Sequence, residues 1–343
     1  MKRSLLAITV LVFLLLLVVS PRPSLAAEQK PIELKFAMWN SMQHSMVVEI
    51  YGPFAKELEQ RTQGRVKITF YPNEALGKAK DQYDMAVRGI SDIAVFIHGY
   101  TPGRFPLAQV MELPTGVPSG KIGSRILWEL YEKYMKQDYP GVKMLMLQTS
   151  EPGQVHATKK TVKVLSDLKG MRLRSPGPVQ TSVLRALGGS PLTIPIPELY
   201  DALQKGMADG ALLPFSAVKD FKLGEVIKHH TIANLYVMTS GLVMNPNTWN
   251  SLSPGDQKIM DELTGVRMAE KSGDAFDKAA QVALEEAKKA NSEIYQLPPA
   301  ERKAWMEKAK PVSEAWVADM EKKGLPGKKV FEEAMSLVEK YSK

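Results

Sequence analysis

Two arginines sit two residues apart in the stretch Asp167-Leu168-Lys169-Gly170-Met171-Arg172-Leu173-Arg174-Ser175-Pro176-Gly177-Pro178. The pattern reads as a short strand that ends at Arg174, a tight turn, and the start of a helix. In open α/β sheets ligands bind outside the carboxyl ends of strands. A helix start adds unpaired N–H groups and the positive end of a dipole, and a guanidinium adds a planar fork that matches a carboxylate. On a regular strand Arg172 and Arg174 share a face, but only Arg174, at the end, reaches past the sheet edge. A surface salt bridge is the alternative use of such a pair, and the local pattern leaves both open.

Catalytic patterns are missing around these arginines. The chain has no Gly-x-Ser-x-Gly elbow, no His-Glu-x-x-His, no phosphate-binding loop and no dinucleotide fingerprint. Cysteine is absent, which excludes disulfides, thiolate zinc sites and a cysteine nucleophile. Of the five histidines, His229 and His230 are adjacent and would point to opposite faces of a strand, so they cannot easily share a metal. No metal and no cofactor is expected. Further candidate ligand contacts stand at strand ends: His98 and Tyr100 after Asp92–Ile97, Gln148 at the close of Val142–Gln148, and His156 just past the Pro152–Gly153 break.

The elements that must position these groups follow from periodicity. Leu34 and Phe36 alternate as in a strand; Val47, Tyr51, Phe54 and Leu58 mark one helix face, with Pro53 expected to kink it. Val66, Ile68 and Phe70 alternate again, Gln82–Arg88 is a short helix, and Asp92–Ile97 is a buried strand. That order predicts a parallel α/β layer. Ser119–Lys136 is a long helix and Val142–Gln148 a strand. A second α/β set follows: strands at Met171–Arg174, Asp209–Leu213, Val226–His229 and Leu235–Met238, helices at Val179–Leu187 and Pro197–Lys205. Strand character returns at Leu242–Met244. Asp256–Ala290, Pro299–Lys323 and Lys328–Tyr341 are expected to be helical, with Pro and Gly at the breaks. The expected architecture is α/β, two lobes with helical C-terminal elements laid across them.

Targeting and charge narrow the class. Lys2 and Arg3, the apolar run Leu5–Val19, the breakers Pro21 and Pro23, and Ser24-Leu25-Ala26 read as a secretory signal peptide over residues 1–26. The run is too short for a membrane anchor, and without cysteine no lipid anchor is expected, so the mature protein should be soluble and periplasmic. About 317 residues then remain, more than one core usually holds. Removing the three leader cations takes the formal charge from +8 to +5. The positive residues alternate with acids along helices, which suits a solvated surface and not a nucleic-acid partner.

In its mature part the chain resembles the DctP-type solute receptors of tripartite ATP-independent periplasmic (TRAP) transporters. The resemblance runs in order through Leu34-Lys35-Phe36-Ala37, Phe54-Ala55-Lys56-Glu57-Leu58, Thr62-Gln63-Gly64-Arg65-Val66, Tyr71-Pro72-Asn73 to Leu76-Gly77, Asp167–Pro176, and Glu198-Leu199-Tyr200-Asp201-Ala202-Leu203-Gln204 with Gly206 and Asp209-Gly210. It implies a two-lobed periplasmic binding protein with hinge strands and long C-terminal helices spanning both lobes. Residues 31–151 plus 240–279 would form lobe I; residues 152–239 plus 280–343 would form lobe II. It also implies that Arg174 pairs with a substrate carboxylate, that small and large membrane subunits are partners, and that the chain is a monomer or pairs through its C-terminal helices. The chain departs from the family where Leu213 replaces a frequent asparagine, where Trp39 takes a polar position, where Ile196 replaces an aromatic, and where no second arginine lies near Val155. The cleft is therefore expected to take a monocarboxylate with an apolar or aromatic body, held by Arg174 at one end and by Trp39, Leu213, Phe215 and Tyr236 at the other. A ligand sensor or an enzyme on the same scaffold is the alternative.

Overall fold

The computed structural model describes residues 30–343, so the expected signal peptide lies outside the described residues. Strand β1 (Ile32–Ala37) turns Leu34 and Phe36 inward. A π-helical turn at Val47–Tyr51 then runs into helix α1 (Gly52–Arg61). Pro53 accounts for the wide turn: its ring would clash with the carbonyl of Glu49 and it has no N–H to donate, and a widened turn relieves both. Strand β2 (Val66–Tyr71), helix α2 (Gln82–Val87) and strand β3 (Ile93–Ile97) follow, with all of β3 buried. Helix α3 (Gly120–Leu130) starts under a Ser119 cap whose hydroxyl accepts the Ile122 N–H at 3.2 Å, a device that stabilises by about 1 kcal/mol. Strand β4 (Lys143–Thr149) completes this half.

The second half comprises β5 (Gln154–Ala157), β6 (Arg172–Ser175), α4 (Pro178–Leu187), β7 (Ser190–Thr193), α5 (Ile196–Gln204), β8 (Gly210–Leu213), α6 (Phe215–Asp220) and β9 (His229–Ile232). The chain then returns through β10 (Thr239–Met244), α7 (Pro246–Ser251), α8 (Pro254–Leu263) and α9 (Gly265–Lys289) to β11 (Glu293–Gln296), and ends in α10 (Pro299–Lys322) and α11 (Gly327–Tyr341). Two sheets result, in the orders β2-β1-β3-β10-β4 and β11-β9-β5-β8-β6-β7.

The first three strands are parallel, as their alternation with helices predicts, but β10 enters antiparallel between β3 and β4. The expected strand at Leu235–Met238 is instead an extended crossing segment between the sheets. It runs beside the β4–β5 connection: Gly153 N–H donates to the Tyr236 carbonyl at 2.7 Å and Ser150 N–H to that of Met238 at 2.9 Å. The expected helix Asp256–Ala290 is broken at Thr264, which is extended, and Gly265, whose φ of 69° is easy only for glycine.

Helix α9 is the third link between the sheets. It packs on α3 and β4 on one side and on α6 on the other. At its crossing with α3 the backbones nearly touch: a Cβ on Gly120 would lie 2.8 Å from the Gly273 carbonyl, and one on Gly273 would overlap the Gly120 carbonyl. One turn on, Asp277 accepts the N–H groups of Gly120 at 2.7 Å and Lys121 at 3.0 Å, which satisfies the free start of α3. Of the C-terminal helices, α10 packs on α4 and α11 on α3.

Candidate functional site

Arg174 lies at the carboxyl end of β6, flanked by β7 and β8. Its side chain is buried, with 2% of the residue exposed. Nε donates to the Ile194 carbonyl at 2.8 Å, Nη2 to the Tyr100 hydroxyl at 3.3 Å, and Nη1 reaches the Leu212 carbonyl at 3.5 Å. All three partners are neutral. Arg172, at the exposed start of the same strand, is the surface ion pair: it holds Asp209 at 2.8 Å and the Gly206 carbonyl at 2.8 Å. The two arginines thus divide the two uses their spacing allowed.

Tyr100 arrives from the other sheet, in a short 3-10 turn after β3. Its oxygen accepts the Ile196 N–H at 2.8 Å as well as the arginine. Burial raises its pKa, against the pull of Arg174, so the phenol stays neutral and its own proton remains to donate. The backbones also meet here: a Cβ on Gly99 would lie 3.0 Å from the Pro176 carbonyl.

These groups line a narrow cavity of about 30 Å3, which must widen to admit a ligand. Trp39 and Ile97 line it from the ends of β1 and β3, Leu213 from the end of β8, Ile196 from the start of α5, Phe221 from just past α6, Met238 from the crossing segment, and Phe276 from α9. The wall is thus largely apolar, with Arg174 and Tyr100 set into it. Of the ten residues singled out in the sequence, Arg174, Trp39, Tyr100, Ile196 and Leu213 come together there.

The other five are buried elsewhere. Phe215 packs on the His156–His230 pair, with ring centroids at 4.8 and 5.1 Å. His156 donates from Nε2 to the Leu213 carbonyl at 3.2 Å, so its Nδ1 must accept from His230 Nδ1 at 2.7 Å. Burial, then His230, pushes the His156 pKa well down. His98 bonds Tyr139 at 2.6 Å within a cluster of Phe96 and Phe105. Gln148 donates to Ser240 at 3.0 Å across β4 and β10. The Tyr236 ring lies against Gly153 at the crossing. His229 does face away from His230, toward Thr161 at 2.9 Å.

Sequence reasoning missed several wall residues: His44, Ser216, Asp220, Phe221, Met238 and Phe276. His44 was visible as a histidine shortly after a strand end. Ser216 is held by Glu151, a buried carboxylate at the crossing that accepts its N–H at 2.8 Å and its hydroxyl at 3.0 Å. Burial pushes the Glu151 pKa up to about 8. Among the described residues no group of three His, Cys, Asp or Glu side chains could hold a metal, and no helix is long and apolar enough to cross a membrane.

Comparison with known proteins gives this geometry a family. The model for bacterial extracellular solute-binding protein, family 7 (DctP), matches residues 36–319. A TRAP solute-binding protein of Rhodoferax ferrireducens, in complex with copurified benzoate, superposes with a TM-score of 0.88 at 31% identity, covering 91% of this chain and 98% of that one. A marine-metagenome TRAP solute-binding protein specific for aromatic acid ligands, in complex with 3-hydroxybenzoate, gives a TM-score of 0.88 at 30% identity over 91% and 99% of the two chains. A third, from Bordetella bronchiseptica with bound (R)- and (S)-mandelate, gives 0.85 at 29% identity over 91% and 100%. A family match of this length, on a two-sheet frame shared with solved TRAP receptors, makes the chain a member of bacterial extracellular solute-binding protein family 7, a transport protein that binds solute and not an enzyme.

Proposed function

We propose that this chain is the periplasmic receptor of a TRAP transporter for small monocarboxylates with an aromatic or apolar body. The observation that carries the reading is Arg174, a buried guanidinium whose protein partners are all neutral, set in a mostly apolar cavity. A charge buried this way costs several kcal/mol unless a counter-charge joins it. An incoming carboxylate supplies one, and the Tyr100 hydroxyl is free to donate to it as well. Trp39, Ile196, Leu213 and Phe276 offer the body of the ligand apolar surface. The three similar structures carry benzoate, 3-hydroxybenzoate and mandelate, which supports an aryl acid.

Walls from both sheets imply that the lobes, hinging about the crossing segments, close on the ligand. The closed receptor would then deliver it, as a monomer, to small and large membrane subunits. Arg174→Ala should weaken binding of an aryl acid by about 3–5 kcal/mol, a factor of roughly a hundred to several thousand. The melting temperature of the ligand-free protein should move little, since removing an unpaired buried charge offsets the lost hydrogen bonds. Calorimetric titration with benzoate and mandelate, against galactonate and sialic acid, tests the reading. Binding of the sugar acids but not of the aryl acids would overturn it.

A further inference from the structure

A second polar group in the same cavity is not used by the carboxylate reading. Asp220, at the end of α6, is the carboxylate of the wall, and His44 lies beside it with Nδ1 at 3.5 Å from Oδ2. Both side chains are almost fully buried. Neither shares a hydrogen-bond partner with Arg174: Asp220 is held by Ser45, whose N–H donates to Oδ1 at 3.1 Å and whose hydroxyl donates to Oδ2 at 2.5 Å. We propose that Asp220 and His44 form a second recognition point, which reads a hydroxyl group on the ligand, so that the preferred solute is a hydroxylated aryl monocarboxylic acid. This deepens the receptor reading above and rests on it.

Donors and acceptors select the hydroxyl. An ionised carboxylate accepts about four hydrogen bonds, and Ser45 fills one site on each Asp220 oxygen. His44 Nδ1 accepts the Met46 N–H at 3.1 Å, which puts the ring proton on Nε2 as a free donor. The point therefore presents an acceptor on Asp220 and a donor on the His44 ring. A hydroxyl satisfies both, donating to Asp220 and accepting from His44. A second carboxylate would be repelled by Asp220, an ammonium could not accept from His44, and a methyl would satisfy neither. Of the other polar groups on the wall, Ser216 is already spent on Glu151, while the buried Trp39 indole N–H has no partner among the described residues and is a further donor.

The pair is also rigid. Trp39 and Phe221 stack at 5.9 Å with their planes 18° apart, and the His44 ring stands edge-on to both, at 5.8 and 5.5 Å. Fixed groups discriminate better than mobile ones, because a missing partner leaves them unpaired. Ser45 follows β1 and Asp220 ends α6, so their two bonds also tie one lobe to the other. Loss of Asp220 would weaken closure on every ligand equally; only a change in relative affinity reports hydroxyl reading.

The test is calorimetric titration of the protein, purified from the periplasm after expression with its own leader. Benzoate is compared with 3- and 4-hydroxybenzoate, and phenylacetate with 3- and 4-hydroxyphenylacetate. The wild type should bind at least one hydroxylated acid about tenfold or more tighter than its parent, the size expected of a hydrogen bond to a charged group. Asp220→Asn and His44→Phe, which keeps the edge-on packing, should each bring that ratio toward one whatever they do to affinity overall. Parent and hydroxylated acids within about twofold of each other in the wild type would overturn the inference while leaving the receptor reading intact. So would a ratio unchanged in both variants. If Asp220→Asn does not fold, the wild-type ratio and His44→Phe decide. Failure of every aryl acid to bind would overturn the receptor reading itself, and this inference with it.

Discussion

Glu151 should make the fold weaken as pH rises through neutrality, and Glu151→Gln should abolish that trend. The carboxylate is buried where β4 crosses to β5, and its partners are the N–H and hydroxyl of Ser216. Burial raises its pKa from 4.5 to about 8 in the native state. Between those values the folded protein holds a proton that the unfolded chain has released. The contribution of Glu151 to stability therefore falls with pH across that window and is complete only below 4.5. Every tenfold change in the acid's ionisation constant is worth about 1.4 kcal/mol, so the loss by pH 9 is about 4–5 kcal/mol. Glutamine mimics the protonated acid and cannot ionise. Urea unfolding followed by tryptophan fluorescence at pH 5, 7 and 9 measures the difference. Wild type and variant should unfold at similar urea at pH 5, and the variant should be the more stable by several kcal/mol at pH 9. Parallel curves from pH 5 to 9 would refute the reasoning, because Glu151 would then not titrate in that range.

Two further outcomes follow from the packing. Gly273→Ala should destabilise the protein by about 2–3 kcal/mol, since the new methyl meets the Gly120 carbonyl where α9 crosses α3; an unchanged urea midpoint would mean the helices part at no cost. His98 and His230 are buried and neutral, and burial lowers the pKa of each from 6.5 to about 4. Their contribution is complete above pH 6.5 and lost as pH falls toward 4, by about 3 kcal/mol for each. His230→Phe should blunt this acid sensitivity, and an unaltered midpoint shift between pH 7 and 4.5 would count against it.

The sequence made the strand-end arginine legible because Gly170, Pro176, Gly177 and Pro178 bracket a strand too short to have another reading. The buried strand β3 was legible as an unbroken apolar run, and the helices after Pro299 by their content of Ala, Glu, Lys and Met between Pro and Gly breaks. Strands β7 and β11 were not, being short, polar and partly exposed edge strands without an apolar run. The break at Thr264 was hidden because helical periodicity continues on both sides of it. The antiparallel entry of β10 is a long-range pairing that leaves no local trace. At the site, Leu213 and Phe215 are two residues apart, yet the end of β8 falls between them and only the first faces the cavity. Ser45 and Asp220 lie 175 residues apart, so nothing in either neighbourhood announces their meeting.

Helix α10 holds the two halves at a fixed span. Near its start Arg302 Nε donates to the Ala233 carbonyl at 3.1 Å, and further on the Trp316 indole donates to the Pro106 carbonyl at 3.2 Å. The anchor points are about 21 Å apart along a helix of ordinary rise. Under the hinge closure proposed above, such a rod would cap how far the two halves part before one anchor has to let go. Pro311, between the anchors, has no N–H to hold the helix there, so the rod would bend first at that point.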